Sequence, residues 1–373
     1  MQARQWELTL LKTLLWSYIA LCLIIASLNW GYVPSASPKV ATAITKLWHF
    51  YENWIKTILI VVCGILTLRI RKRKASIAMR KKNMVGFALA ALLVHIALPI
   101  LLKNPELYYF AMPLPWSTIP LQVQVEGTAI QKGLMQSIGL QGIKLSLVFF
   151  WLYSGFILVG TLLFGRRLQC SSLCLFNGFA SEIFEPAFPL LGKKKAPLGK
   201  HGLRSISVVR TLFFILSLAF TSYWILQSIG VGLSGNREGF SSLETYKYLI
   251  FELLMAMFFW VAFIGRMYCY YCPVGTLLSW IAKVGGQRII TDKTHCIQCG
   301  KCNATCQLSI DIQSCAKEKG PVISSYCVGC GHCVDVCPAK TLGYCTNFTH
   351  FFHIISCKYK HKGKLTRMPE TKH

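Results

Sequence analysis

The sequence predicts an α-helical polytopic membrane protein of about six transmembrane helices, with a small α+β, cysteine-rich domain at its C-terminal side. Three observations predict it. The 373 residues are 54% hydrophobic and only 14% charged, whereas a soluble chain carries about a quarter charged residues; the mean hydropathy is +0.47. Six apolar stretches, roughly 8–30, 54–70, 83–103, 143–164, 206–228 and 246–265, approach or reach the ~20 residues that span a bilayer. Eight of the 17 cysteines crowd into two short runs between 296 and 337.

The first stretch is long and no small-residue cleavage site follows it, so an uncleaved anchor is expected. The second is short and is expected to lean on snorkelling by Lys56 and Arg69. After the third comes KNPELYYFAMPLPWSTIPLQVQV, which cannot be one helix because internal proline removes a backbone donor and clashes with the preceding turn. It is expected to lie in the outer interface with Tyr108, Tyr109 and Trp116 at headgroup depth; the alternative is a lid over a lipid-soluble substrate. The net charge of +26 does not point to nucleic acid, because its lysines and arginines gather at the ends of apolar segments. RIRKRKASIAMRKK joins the second and third stretches, and Arg166, Arg167, Lys193, Lys194, Lys195, Lys200 and Arg204 lie between the fourth and fifth. The other links hold only Lys39 and Lys46, Lys132, and Arg237. The positive-inside rule then puts both termini and the cysteine-rich domain in the cytoplasm. Domain boundaries are expected at 1–142 for an N-terminal membrane region, 143–285 for a membrane core, 286–345 for the cysteine-rich domain and 346–373 for a basic tail suited to anionic lipid.

The two cysteine runs are CIQCGKCNATC and CVGCGHCVDVCP. Both follow C-x2-C-x2-C-x3-C, the spacing with which bacterial two-cluster ferredoxins hold a pair of [4Fe–4S] cubanes; three close thiolates grip one cluster and the fourth crosses to the other. Cys296, Cys299, Cys302 and Cys337 are therefore expected on cluster 1, and Cys327, Cys330, Cys333 and Cys306 on cluster 2. Zinc ribbons are the competing assignment. Gln307 stands where the first run would usually carry proline. His295 and His332 flank cysteines and are expected to tune cluster hydrogen bonding rather than to ligate iron. Cluster assembly needs reduced thiolates, so metal chemistry and charge bias select the same compartment.

A second set of cysteines stands at helix ends. LLFGRRLQCSSLC and FIGRMYCYYCPVG, aligned on Gly165-Arg166 and Gly265-Arg266, read as two copies of one device: an apolar helix, Gly-Arg, then a cysteine pair. Cys170, Cys174, Cys269 and Cys272 either form a joint metal or redox centre or remain thiols that pack as small hydrophobes. Arg166 and Arg266 would favour the thiolate form.

GRRLQCSSLC, GRMYCYYCPVG and the tandem runs together resemble the membrane polyferredoxins of the NapH/NosR type, to which CcoG is related. In that family two CxxxCP motifs stand at helix ends before a cytoplasmic two-cluster domain. The resemblance covers about 143–345. Leu175 replaces the first motif's proline, and the second pair has two intervening residues rather than three, so the role of these cysteines does not carry over. The resemblance implies a prokaryotic inner-membrane protein that passes electrons between membrane quinol and a partner redox protein or reductase subunit. That is an electron-transfer subunit of a quinol dehydrogenase-type complex rather than a stand-alone enzyme. Two alternatives remain: a maturation or metal-reduction factor for another metalloenzyme, and a redox sensor.

His95 and Glu252 fall inside apolar stretches, where ionisable groups are expensive and mark functional sites. They are the candidates for a quinol and proton site, against a purely packing role. The chain has no CxxCH, dinucleotide GxGxxG or P-loop, so it has no recognisable means of oxidising NADH or using ATP alone.

The topology is testable with reporter fusions. A reporter that works only in the cytoplasm is expected to be active when joined after Cys345, and one that works only outside when placed within 31–53. Outer-side activity after Cys345 overturns both the orientation and the compartment.

Overall fold

The structure is a computed structural model that describes residues 2–33, 36–73, 76–191, 200–231, 236–292, 294–318 and 321–352. Six helices in these residues are long and apolar enough to cross a membrane: α1 (Gln5–Gly31), α2 (Pro38–Lys72), α3 (Ala78–Leu101), α4 (Ala129–Phe164), α5 (Gly202–Ser228) and α6 (Arg237–Ala262). All six expected spans are present, and the chain is a multi-pass, mostly helical membrane protein. Stripes such as Leu152, Phe156 and Val159 on α4, and Val209, Leu212 and Leu216 on α5, are exposed, as lipid-facing surfaces are. Lipid tails are as apolar as these side chains, so packing and polar contacts must hold the bundle. Its core joins Trp48 and Tyr51 of α2, Phe87 of α3 and Trp260 of α6 to Phe179 and Phe184 of the α4–α5 link.

Two expectations are corrected here. α2 is 35 residues long, and Lys56 does not snorkel. It is buried, with Nζ 2.8 Å from Glu52 Oε2 one turn earlier; an ion pair inside the bundle replaces the headgroup region. The proline-rich segment does not lie in the interface either. Leu107–Phe110 and Ile119–Gln122 form short turns with most residues buried. Trp116 packs on Phe176 of the following link, ring centroids 5.1 Å apart. The two links leave opposite ends of α4, so the contact requires re-entry into the bundle. Irregular backbone is tolerated at membrane depth only where protein satisfies it. Asn53 Nδ2 donates to the Pro105 carbonyl (3.2 Å), and Asn104 Oδ1 accepts from Glu106 N (3.1 Å); Asn104 Nδ2 in turn donates to Ser146 Oγ (2.6 Å).

After α6, the helix Pro273–Val284 leads to the cysteine-rich domain. Its sheet has two antiparallel strands, β1 (Arg288–Thr291) and β2 (Leu342–Cys345), with Arg288 opposite Cys345 and Thr291 opposite Leu342. The domain seats on helix ends. Tyr344 donates its hydroxyl proton to the Phe164 carbonyl (2.9 Å) and Thr346 to that of Leu163 (2.6 Å), answering acceptors left open at the C-terminus of α4. Ile77, which precedes α3, has no capping side chain. The Asp335 carboxylate caps that helix instead, accepting from Met79 N (3.0 Å) and Arg80 N (3.1 Å). The domain thus lies at the end of the bundle where both arginine- and lysine-rich links emerge. Lys193, Lys194 and Lys195, and the expected tail beyond 352, lie outside the described residues.

Asp335→Ala leaves two first-turn donors of α3 unanswered and is expected to weaken domain docking by about 1 kcal/mol. Limited proteolysis of the purified protein should then cut between Val284 and Arg288 faster than in wild type; an unchanged rate contradicts this cap.

Candidate functional site

The ferredoxin-type cysteines form two differently placed groups. Cys306, Cys327, Cys330 and Cys333 surround one hollow together with Ile289, Leu308 and Gly329. Gly329 (φ +69°) and Gly331 (φ +75°) are left-handed, and close approach also requires glycine there. A Cβ at the first would lie 2.8 Å from Arg167 Cβ, and one at the second 2.8 Å from Met79 Cγ. The loop can therefore press against α3 and the end of α4. Burial pushes the Cys330 thiol up to about 12, with the charge of Glu182 adding to it. Cluster assembly would release protons from such thiols. Four thiols around an apolar hollow fit a cubane. In the other group, Cys296, Cys299 and Cys302 lie towards the surface, with Cys299 exposed. Cys337 Sγ accepts from Thr341 N (3.3 Å).

Between the domain and the bundle lies a buried charge network. Glu182, on the short helix Asn177–Ile183, is fully buried. Its Oε1 accepts from Arg266 NH2 (2.9 Å) and Asn83 Nδ2 (3.3 Å), and its Oε2 lies 2.7 Å from His332 Nε2. Burial alone would raise this carboxyl; His332, Arg266 and Arg80 outweigh it and bring it down to about 2. Burial holds His332 below its ordinary range, so the neutral ring donates from Nε2. Gln307 accepts from Arg266 Nε (2.6 Å) and donates to Ser181 O (3.0 Å). The residue standing where proline was expected is thus a docking residue. Asn83 Nδ2 also donates to Cys330 O (2.8 Å), and Ser171 Oγ to Val328 O (2.8 Å). His332 touches the seam rather than solvent, whereas His295 pairs with Asp292 (2.8 Å) at the surface.

The helix-end cysteines meet in space. Cys170 sits in a π-helical turn, Gln169–Leu173, closed by Cys174 N donating to Gln169 O (2.8 Å). Burial pushes Cys269 up to about 11, and Cys170 and Cys174 add to that through their charge. Cys170 and Cys272 pack on one apolar cluster with Ile157, Val274 and Leu278.

His95 and Glu252, on α3 and α6, line a common cavity of about 120 Å³. Trp48, Tyr108 and Trp116 also line it, so the re-entrant segment forms part of its wall. Glu52, His95 and Glu252 all sit in π-helical turns, Tyr51–Ile55, Leu92–Ala97 and Tyr248–Leu254. In each turn the next amide bonds five residues back, as from Leu98 N to Leu93 O. Such turns widen a helix locally and recur at functional sites. His95 stacks on Tyr108 (centroids 5.8 Å apart, 9° between planes), and its ring also bonds the Glu52 backbone. Among the described residues its Nδ1 has no hydrogen-bond partner. Lys247 Nζ lies 3.2 Å from Glu252 Oε1. Trp116 Nε1 donates to the Tyr268 hydroxyl, which also reaches Glu252.

Sequence reasoning missed Glu182, the Glu52–Lys56 pair, Lys247 and Trp116 as site residues. A usable signal was present: the chain has only 14 acidic residues, and Glu182 stands in the otherwise uncharged NGFASEIF.

A multi-pass membrane protein with a cysteine-rich domain docked at one end is thus defined, and the comparisons agree. Residues 288–338 match the family described as a 4Fe-4S dicluster domain. The chain is 27% identical over 180 residues to an uncharacterized protein of Methanocaldococcus jannaschii, covering 48% of this chain and 64% of that one. It is 29% identical over 184 residues to the ferredoxin-type protein NapH of Escherichia coli (46% and 60%) and 32% over 84 residues to the putative electron transport protein YccM of the same organism (22% and 22%). The chain therefore spans less than two thirds of the length of these relatives. No solved structure matches. Over part of its length the chain is thus similar to ferredoxin-type and putative electron transport proteins, and it carries the dicluster domain.

Removing one partner from a buried ion pair costs about 3–5 kcal/mol, because the other charge is left unpaired. Arg266→Met is accordingly expected to lower the thermal transition of the detergent-purified protein sharply and to release iron from the buried cysteine group. Wild-type melting and iron retention would contradict a structural role for the Glu182 network.

Proposed function

We propose that this chain is a membrane-bound iron–sulfur electron-transfer protein that oxidises quinol in the intramembrane cavity and hands the electrons to a partner redox protein at the cytoplasmic surface of a prokaryotic inner membrane. The observation that carries this reading is the cavity. It gathers His95 and Glu252 from separate helices under a re-entrant aromatic wall, beside the helix-end cysteines.

Quinol gives up two electrons and two protons to become quinone, so its site needs groups that take protons inside the bilayer. The bond from His95 to the Glu52 backbone leaves the lone pair on the partnerless Nδ1. That atom accepts the proton of one quinol hydroxyl. The Glu252 carboxylate, held between Lys247 and Tyr268, takes the second. Tyr108 stacks on His95 and fixes the plane of its ring.

Two [4Fe–4S] clusters, the first on Cys296, Cys299, Cys302 and Cys337 and the second on Cys327, Cys330, Cys333 and Cys306, would each accept and return one electron at a time. The buried second set faces the membrane seam, and the first set faces outwards. Exposed Ile297 lies within the surface run and gives a partner an apolar contact next to the exit. The division at 142, 285 and 345 assigns the cavity to the two membrane regions and the exit to 286–345.

His95→Leu and Glu252→Gln are each expected to slow reduction of the clusters by a quinol analogue at least tenfold while leaving dithionite reduction unchanged. Wild-type rates in both variants would move the quinol site elsewhere. Equal loss with both reductants would mark a folding defect.

A further inference from the structure

Cys170 and Cys174 follow α4, and Cys269 and Cys272 follow α6, yet the charges of Cys269, Cys170 and Cys174 all act on Cys272. Packing as small hydrophobes would account for four half-buried thiols. It would not account for what surrounds them. Cys272 Sγ accepts the Gly275 amide (3.4 Å), and Cys174 is reached by the amides of Phe176 and Gly178. The buried ferredoxin-type thiols are served in the same way, Cys327 by the Gly329 amide and Cys330 by that of His332. Amides aimed at sulfur stabilise thiolate and tune a bound centre. Glycine keeps this cradle open: a Cβ at Gly178 would lie 3.2 Å from Cys174 Sγ and 2.9 Å from Cys170 O. One at Gly275 would lie 2.8 Å from Arg166 NH2.

Two buried arginines supply compensating charge. Arg266 NH1 donates to Cys170 O (2.8 Å), and its charge acts on Cys269, Cys170 and Cys330. One guanidinium therefore stands between this tetrad and the ferredoxin-type set. Arg166 acts on both Cys269 and Cys327, and among the described residues its Nε has no partner.

Sulfur spacing selects the kind of centre. A single tetrahedral ion at about 2.3 Å from each thiolate draws the sulfurs to about 3.8 Å apart. Among the described residues, the donor atoms gathered within 4.8 Å of one another are those of Glu182, Cys330 and His332. The tetrad is more open than that, as are both ferredoxin-type sets.

We propose that Cys170, Cys174, Cys269 and Cys272 hold a third iron–sulfur cluster at the seam between the membrane bundle and the dicluster domain. Trp116 and Phe176 line the cavity and pack, with Cys272, on the cluster of Phe213, Tyr268 and Tyr271. Given the quinol reading, the tetrad is the first acceptor: each quinol sends two electrons through it singly, and its two protons stay with the cavity. The metal site itself does not depend on that reading.

The test is iron, sulfide and zinc analysis of the anaerobically purified full chain, with electron paramagnetic resonance after dithionite reduction. Wild type is expected to hold about twelve irons per chain for a four-iron third cluster, or about ten for a two-iron one. Cys174→Ser/Cys272→Ser should fall to about eight and lose one signal while the two ferredoxin-type signals stay. Eight irons and two signals in wild type, or zinc lost with the double variant, would overturn the proposal. The wild-type count decides even if the double variant fails to fold. In His95→Leu the third signal is expected to persist whatever happens to quinol oxidation, which separates failure of the cavity reading from failure of this one.

Discussion

The arrangement depends on a single buried carboxylate. Glu182 has no exposure to solvent, so its charge is tolerable only while Arg266, His332 and Asn83 remain around it. Those partners come from the turn after α6, from the dicluster domain and from α3. Satisfying one charge therefore forces three distant parts of the chain into one place. Electrostatic necessity sets the docking geometry more firmly than apolar contact can, because apolar contact at a membrane end has few preferred orientations. At the same seam Gln307, Asn83 and Ser171 donate to the backbone carbonyls of Ser181, Cys330 and Val328. A shift of the domain would break several of these at once.

Above the seam, the two links that enter the bundle do related work. Trp116 from one and Phe176 from the other meet in mid-bundle, closing the cavity on the side nearest the helix-end cysteines. The π-helical turns complete it. Each makes room in a helix where an ionisable side chain must face inwards, and Lys56 and Lys247 balance Glu52 and Glu252 within it. A polar chamber survives in the bilayer because lysines meet two of its carboxylates and hydrogen bonds from Thr118, Gln122 and Trp224 meet the third, Glu244.

Much of this was legible in the residues. Apolar length set the six helices, and cysteine spacing marked the domain that the dicluster family matches at 288–338. Duplicated Gly-Arg and cysteine pairs pointed to a shared location for Cys170, Cys174, Cys269 and Cys272. The seam was not legible, because Glu182 meets Arg266 and His332 across 84 and 150 residues, and no local pattern encodes such pairings. The outer-interface expectation for the re-entrant segment failed for a related reason: Tyr108 and Trp116 look alike in sequence whether they face headgroups or a chamber. Only the side chains that answer their polar atoms, such as Tyr268 for Trp116, separate the two cases.

The central claim is that a quinone headgroup occupies the chamber beside the helix-end cysteines. Photoaffinity labelling of the lipid-reconstituted full chain with an azido-quinone, followed by peptide mapping, tests it most directly. The account predicts label on peptides carrying Tyr108 to Gln122 and Ser241 to Glu252, displaced by excess unlabelled quinone. Label spread without competition over the lipid-facing residues of α4 and α5, with none in these peptides, would contradict it.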